Sequence, residues 1–141
     1  AVRAVRETTA LTCLASFTFE PLPDGSFASM MGVTPEQFAE QALAAGAHII
    51  GANCGTGPDA MISIIQRLRS VTSAPLIAMP NAGMPTLVNG ETVFLESPEE
   101  MASKVGALIK AGATIIGGCC GTTPAHIAAM ANAVQTLRQA E

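Results

Sequence analysis

The sequence has no tryptophan and no tyrosine, and phenylalanine occurs only 5 times in 141 residues. Aromatic side chains on which nucleobases stack are therefore scarce. The 7 Lys and Arg residues are outnumbered by 11 Asp and Glu residues, which gives a net charge of −4. Because nucleic-acid binding depends on a positively charged surface, these shortages argue against a nucleic-acid partner.

Charge of either sign is scarce, and so are long apolar runs. Charged residues make up 13% of the chain, against about 25% in a typical soluble protein. The hydrophobic share of 49% and the mean hydropathy of +0.40 exclude intrinsic disorder. No apolar run reaches the roughly 18–20 residues of a membrane helix, and no signal-peptide pattern opens the chain. We expect a globular, cytoplasmic protein with no membrane partner, part of whose surface is covered by more protein.

Four short apolar segments bounded by Gly or Pro are predicted as strands: residues 10–19, 47–53, 75–79 and 113–119. Their continuous apolar content is typical of a parallel sheet that is covered on both faces. Four helices are predicted to start with proline at their first position, and these are Pro35, Pro58, Pro98 and Pro124. Gln37 and Glu100 stand at capping-box positions. The predicted fold class is α/β, with four consecutive βα units and parallel strands.

Residues 45–58 and 111–124 form an internal repeat in which 10 of 14 positions are identical. The repeat spans two βα units, so Cys54 and Cys120 occupy equivalent places on alternate strands. In a (β/α)8 barrel, alternate strands contribute to the same layer of side chains, and the carboxyl ends of the strands hold the chemistry. The chain supplies four of the eight strands. We therefore expect residues 1–141 to be a single partial domain, half of such a barrel, with residues 1–7 as the tail of a truncated helix.

The repeat is expected to bring the thiols of Cys54, Cys119 and Cys120 together at one edge of the sheet. Three protein ligands with an open fourth position are the pattern of a catalytic zinc site. Both adjacent cysteines reach one ion only where the strand is ending, since neighbouring residues in a strand face opposite ways. Structural thiols, redox chemistry and a vicinal disulfide remain open alternatives at this point. Cys13 has no partner in the repeat and is expected to pack in the core.

Three motifs together resemble the homocysteine S-methyltransferase family, and the likeness is strongest to its cobalamin-dependent members. The motifs are Gly51-Ala52-Asn53-Cys54-Gly55-Thr56-Gly57-Pro58, Pro80-Asn81-Ala82-Gly83, and Gly117-Gly118-Cys119-Cys120-Gly121-Thr122-Thr123-Pro124. The resemblance covers nearly the whole chain but only the carboxyl-terminal half of the family's (β/α)8 TIM barrel. It implies zinc-dependent methyl transfer to the thiol of homocysteine, giving methionine.

The resemblance also implies roles for individual residues and partners. It places zinc on Cys54, Cys119 and Cys120, and it places Glu20, Asn53 and Asn81 near the substrate. The resemblance favours methyl-cobalamin, carried on another domain, as the methyl donor. It also implies folate- and cobalamin-binding domains as partners. Betaine and S-methylmethionine serve as donors for other members of the family.

Two further functions stay open beside the enzyme, a non-catalytic zinc-binding half-domain and a phosphate-binding barrel. An N-terminal half-barrel or an additional chain is expected as the partner that completes the barrel. A phosphate-binding barrel is less favoured, because residues 47–65 and 113–135 contain no Lys or Arg. His126 is expected in the first turn of a helix rather than as a fourth ligand, and His48 is expected in the core.

Overall fold

The computed structural model describes residues 1–139. In chain order, its helices and strands are α1 (Val2–Thr8), β1 (Leu14–Phe17), β2 (Glu20–Pro21), β3 (Phe27–Ala28), α2 (Pro35–Ala44), β4 (Ile49–Asn53), α3 (Pro58–Val71), β5 (Leu76–Met79), β6 (Pro85–Val88), β7 (Glu91–Phe94), α4 (Pro98–Ser103), α5 (Val105–Ala111), β8 (Ile115–Ile116) and α6 (Pro124–Gln139). Among these helices, none is long and apolar enough to cross a membrane.

The central sheet contains four parallel strands in the order β1-β4-β5-β8. Each of these strands is followed along the chain by helix, so the predicted α/β class with four βα units is confirmed. Because all four strands run the same way, their carboxyl ends lie at one edge of the sheet. Within residues 1–139, β1 and β8 each pair with a single neighbour, so both outer edges of the sheet are open.

The outer strands are shorter than predicted. The segment 10–19 narrows to Leu14–Phe17, and the segment 113–119 narrows to Ile115–Ile116. Strand β8 is paired only with β5, at Ile77 and Ala78, and the chain leaves the ladder at Gly117. A strand with one partner has fewer ladder hydrogen bonds to keep it extended, and glycine favours departure from regular structure.

The predicted helix starts are confirmed at all four prolines. Thr34 and Ser97 each form a complete capping box, with Gln37 and Glu100 respectively. The helix predicted after Pro98 consists of two pieces, α4 and α5, which meet at Lys104. Each capping box satisfies two backbone N–H groups that would otherwise lack a partner. Because this requires specific residue types at fixed positions, these helix starts can be predicted from the sequence.

Two antiparallel hairpins were not predicted from the sequence. Strands β2 and β3 form the first, and β6 and β7 form the second, which leaves the carboxyl edge of β5. The turn of the second hairpin is Asn89-Gly90, and both residues have positive φ, at +51° and +85°. An Asn-Gly pair between β-prone segments is a strong signal for a two-residue hairpin turn, so the sequence did contain the information.

The main core lies between the sheet and helices α2, α3 and α5. Its fully buried side chains include Phe19, Ile50, Met61, Ile64 and Leu68. Cys13 is buried, as predicted. The helical spacing of Ile127, Met130 and Leu137 in the sequence predicts one apolar face on α6. Met130 is buried, but Ile127 is 47% and Leu137 41% exposed. Both lie on the last helix, beyond the open edge of the sheet at β8.

Candidate metal centre

Three cysteine side chains meet where strands β4 and β8 end. Cys54 directly follows β4, and Cys119 and Cys120 follow β8 after two glycines. The Sγ atoms of all three lie within 4.8 Å of one another, and the Sγ atoms of Cys54 and Cys120 are 3.6 Å apart. The expected meeting of the two repeat units at one edge is thus present in the structure.

Backbone turns, rather than strand geometry, direct these thiols. Cys54 has a left-handed conformation with φ of +56°, and Gly55 follows with φ of +69°. The Cys54 N–H donates to the carbonyl of Met79 at 3.0 Å, which ties the turn to β5. A left-handed conformation is uncommon for a residue other than glycine and is costly unless its surroundings hold it. The strain is therefore located at the residue that carries the thiol.

The second turn lets two adjacent cysteines face the same point. The Cys119 N–H donates to the carbonyl of Pro80 at 2.8 Å, and the Thr122 N–H returns to the carbonyl of Cys119 at 3.1 Å. Gly121 closes the turn with φ of +80°. Because both cysteines lie in a turn beyond the end of β8, the alternation of side chains along a strand no longer separates them.

The distances between the thiols fit a zinc ion. A tetrahedral site with Zn–S bonds of about 2.3 Å separates its sulfur atoms by about 3.8 Å, close to the 3.6 Å between Cys54 and Cys120. A disulfide requires about 2.05 Å, and the four cysteines are free thiols. Three sulfur ligands suit a borderline-soft ion such as zinc, so the donor chemistry agrees with the geometry.

The thiols of Cys54 and Cys120 influence each other's ionisation. Burial opposes ionisation of Cys54, but hydrogen bonds from the Gly55 amide and the Cys120 thiol outweigh it and lower the pKa of Cys54. Hydrogen bonding to Cys54 and Cys119, together with their negative charge, raises the pKa of Cys120 to about 11. Like charges this close are unfavourable without a cation between them, which a metal ion would supply.

Asn81 connects the two cysteine turns. Its side chain is 4% exposed, and its Oδ1 accepts the Cys120 N–H at 3.1 Å. Its own N–H donates to the carbonyl of Thr56 at 3.0 Å, two residues after Cys54. Its side chain also helps to lower the pKa of the Cys54 thiol. Asn81 therefore bridges the turns that carry Cys54 and Cys120.

The other two sequence-predicted substrate residues are placed differently. Asn53 accepts a hydrogen bond from the Ser16 hydroxyl, and its Nδ2 lies 3.5 Å from the Thr18 hydroxyl, so its side chain is turned towards β1. Glu20 is exposed in β2. The carbonyl of the preceding Phe19 lies against Gly55, where an added Cβ would be 2.6 Å away. Glu20 thus follows a segment that packs on the Cys54 turn.

The two histidines are not part of the sulfur cluster. His126 lies in the first turn of α6, as predicted, and both of its ring nitrogens are hydrogen-bonded within the protein. The expectation that His48 lies in the core is wrong, because His48 is exposed just before β4. Its Nδ1 accepts the Cys13 N–H at 2.9 Å, which satisfies that nitrogen at the surface.

Residues 1–134 match the sequence model of a family described as homocysteine S-methyltransferase. The chain is 39% identical over 97 residues to the methionine synthase of Mycobacterium tuberculosis (strain ATCC 25618 / H37Rv), and 41% identical over 90 residues to that of Mycobacterium leprae (strain TN). These matches cover 68% and 63% of this chain, but each spans only 8% of the relative.

Solved structures show a similar fold. The homocysteine methyltransferase MmuM from Escherichia coli matches in its metallated form with a TM-score of 0.70 and 24% identity, over 92% of this chain and 38% of that chain. Its apo form matches with a TM-score of 0.71 and 25% identity, over 94% of this chain and 43% of that chain. The four βα units therefore have the architecture of part of a homocysteine methyltransferase barrel.

Proposed function

The chain belongs to the homocysteine S-methyltransferase family, and we propose that it transfers a methyl group to the thiol of homocysteine, giving methionine, with zinc held by Cys54, Cys119 and Cys120. The observation that carries this proposal is the meeting of three free thiols, within 4.8 Å of one another, at the carboxyl edge of a parallel sheet. The names of the curated relatives, methionine synthases, support methionine as the product.

Bound zinc would supply the positive charge that keeps a substrate thiol in its nucleophilic thiolate form near neutral pH. The residues of the chain prepare that site. Cys54, Cys119 and Cys120 would hold the ion through three sulfurs and would leave a position open for the substrate. Asn81 holds the two cysteine turns together, through the N–H of Cys120 and the carbonyl of Thr56. In the transfer, a sulfur electron pair of homocysteine forms the new S–CH3 bond, the electrons of the broken bond leave with the donor, and the thiol proton goes to solvent.

The family resemblance favours methyl-cobalamin, carried on another domain, as the donor, with betaine and S-methylmethionine as alternatives. We assign Glu20 and Asn53 to the surroundings of homocysteine on the same basis. Folate- and cobalamin-binding domains would accompany a cobalamin-dependent enzyme. Methionine formation with each of the three donors, measured in parallel, distinguishes them.

The open edges of the sheet indicate where the rest of the barrel belongs. Leu14 and Phe17 on β1 are 42% and 41% exposed, and Ile115 on β8 is 37% exposed. Matches that span 38% and 43% of the MmuM chains leave more than half of those barrels without a counterpart here. We propose that an N-terminal half-barrel, or an additional chain, covers these edges, because unpaired apolar strands are unfavourable in water.

The test is X-ray absorption at the zinc edge, before and after addition of homocysteine. We expect about one zinc per chain with three sulfur ligands, and a fourth sulfur ligand once homocysteine is added. A metal-free protein, prepared without chelator and with reduced cysteines, would overturn the proposal. An unchanged three-sulfur environment at saturating homocysteine would favour a non-catalytic zinc-binding half-domain. The open edges of the sheet are the observation that supports this alternative.

Substitution Asn81→Ala is expected to weaken zinc binding by about 10–100-fold, the usual effect of removing a partner that orients metal ligands. The variant loses the acceptor for the Cys120 N–H. Competition with a chromophoric chelator measures the affinity. Asn132→Ala, on the exposed surface of α6, is the matched control and should bind zinc as the wild type does. Equal affinity in both variants would show that Asn81 does not orient the ligands.

A further inference from the structure

His126 is a buried histidine whose two ring nitrogens have different partners. It is 7% exposed. Its Nδ1 accepts the Thr123 N–H at 3.1 Å and lies 2.9 Å from the Thr123 hydroxyl. Its Nε2 lies 2.9 Å from the carbonyl of Glu96. Because a backbone N–H only donates and a carbonyl only accepts, the neutral tautomer with hydrogen on Nε2 is the one that satisfies both.

The bond to Glu96 is the first of three hydrogen bonds that lead to a sulfur ligand. The Glu96 N–H donates to the carbonyl of Ala82 at 3.1 Å. The Ala82 N–H in turn donates to the carbonyl of Cys120 at 2.9 Å, and Ala82 is fully buried. Since His126 is also joined to Cys120 through the chain, these bonds close a ring around residues 120–126.

The second hairpin covers the same loop from the other side. An added Cβ on Gly121 would lie 2.8 Å from Cδ2 of Phe94, so the loop passes directly against this ring. Phe94 ends β7, two residues before Glu96. The contact between His126 and Glu96 therefore also holds the base of the hairpin against the loop that carries Cys119 and Cys120.

The two halves of the internal repeat hold their cysteines differently. Cys54 is anchored through its own N–H to the backbone of β5, at Met79. The N–H of Cys120 donates instead to a side chain, that of Asn81. The residue that corresponds to His126 in the first half of the repeat is Ala60, which has no polar side chain. The N–H of Cys120 thus depends on a side chain, where the N–H of Cys54 is held by main chain.

From this ring of contacts we propose that His126 is a positioning residue, which fixes the Cys120 turn for metal binding by donating from Nε2 to Glu96. This inference rests on the proposed function, because it takes Cys120 as a zinc ligand. His126 itself does not touch the metal, since both of its nitrogens are occupied by protein groups. Its role is to keep a sulfur ligand in a geometry that the loop alone does not enforce.

Three substitutions separate this role from simple packing. His126→Gln keeps a donor near the position of Nε2, His126→Asn keeps an acceptor near the position of Nδ1, and His126→Phe keeps only the ring volume. His48→Gln, at an exposed histidine, is the matched control. All variants are made in the full natural polypeptide. The readouts are the rate of zinc release to a chelator, the visible spectrum of the cobalt(II)-substituted protein, and thermal unfolding.

We expect zinc release to be about tenfold faster or more in His126→Asn and His126→Phe, with an altered cobalt spectrum. His126→Gln and His48→Gln should stay close to the wild type in both measurements. Wild-type release rates in all three His126 variants would overturn the inference while leaving the metal site intact. Loss of zinc from all three, in proportion to lost thermal stability, would also overturn it, because packing would then be the cause. A wild-type protein that takes up neither zinc nor cobalt would instead overturn the proposed function.

Discussion

Cys54→Ala is expected to abolish stable zinc binding, taking the content from about one ion per chain to a trace after gel filtration. The substitution leaves two thiols, both in one turn, where the site requires sulfur ligands from two strand ends. Loss of one ligand should lower the affinity by on the order of 100-fold or more, since each sulfur ligand supplies a large share of the binding free energy. Elemental analysis of the purified protein gives the stoichiometry, and methionine formation should fall to the background rate.

The matched control for this experiment is Cys13→Ala. The same atoms are removed at Cys13, which is buried where Cys54 is half-buried, but Cys13 lies before β1 and outside the sulfur cluster. The Cys13 N–H that donates to His48 is retained by alanine. Zinc content should therefore be unchanged. Retention of one tightly bound zinc by Cys54→Ala, or equal loss in both variants, would show that the three-sulfur site is not the metal site.

Cys120 and Cys54 were predictable from the sequence because the repeat places them at equivalent positions on alternate strands. Parallel strands bring their carboxyl ends to one edge, so equivalence in sequence becomes proximity in space. The repeat alone does not place Cys119 beside Cys54 and Cys120. It depends on β8 ending at Ile116, which frees the following residues from the alternation of a strand.

The internal repeat does not predict the contacts that hold the cysteine turns in place. The resemblance placed Asn81 near the substrate, but its bonds to both cysteine turns depend on how β5 and its following loop pack between the two units. The hairpin that places Glu96 beside His126 was missed, although Asn89-Gly90 signals its turn. Such contacts join segments that have no shared pattern in the sequence.

Helical periodicity identified apolar faces without identifying what covers them. Ile127 and Leu137 follow the same spacing as buried residues elsewhere, yet they are exposed on α6. Apolar residues at helical spacing predict that one face of the helix is apolar. That face is buried only where another element packs against it. The proposed covering half-barrel would also account for the scarcity of charge in the sequence, since covered surfaces need few charged residues.

Equivalent glycines of the repeat also differ in what surrounds them, and Gly51→Ala is expected to have the largest effect on stability. Gly51 and Gly117 are equivalent in the repeat, but only Gly51 lies in the middle of a strand that is paired on both sides. An alanine Cβ at position 51 would lie 2.6 Å from Cγ2 and 2.8 Å from the carbonyl carbon of Ile77. Since backbone has to move, Gly51→Ala should destabilise the protein by more than about 4 kcal/mol.

Urea denaturation measures this loss, and two further Gly→Ala variants calibrate it. At Gly117 the added Cβ meets only the flexible side chain of Met79, at 3.3 Å, so the cost should be about 1 kcal/mol. At Gly106, in α5, the nearest atom is 3.7 Å away, and alanine should stabilise the helix by up to about 1 kcal/mol. Because β4 leads directly into Cys54, Gly51→Ala should also lose zinc, while Gly106→Ala keeps it. Similar unfolding midpoints for Gly51→Ala and Gly106→Ala would contradict the close approach of β4 and β5 on which the position of Cys54 depends.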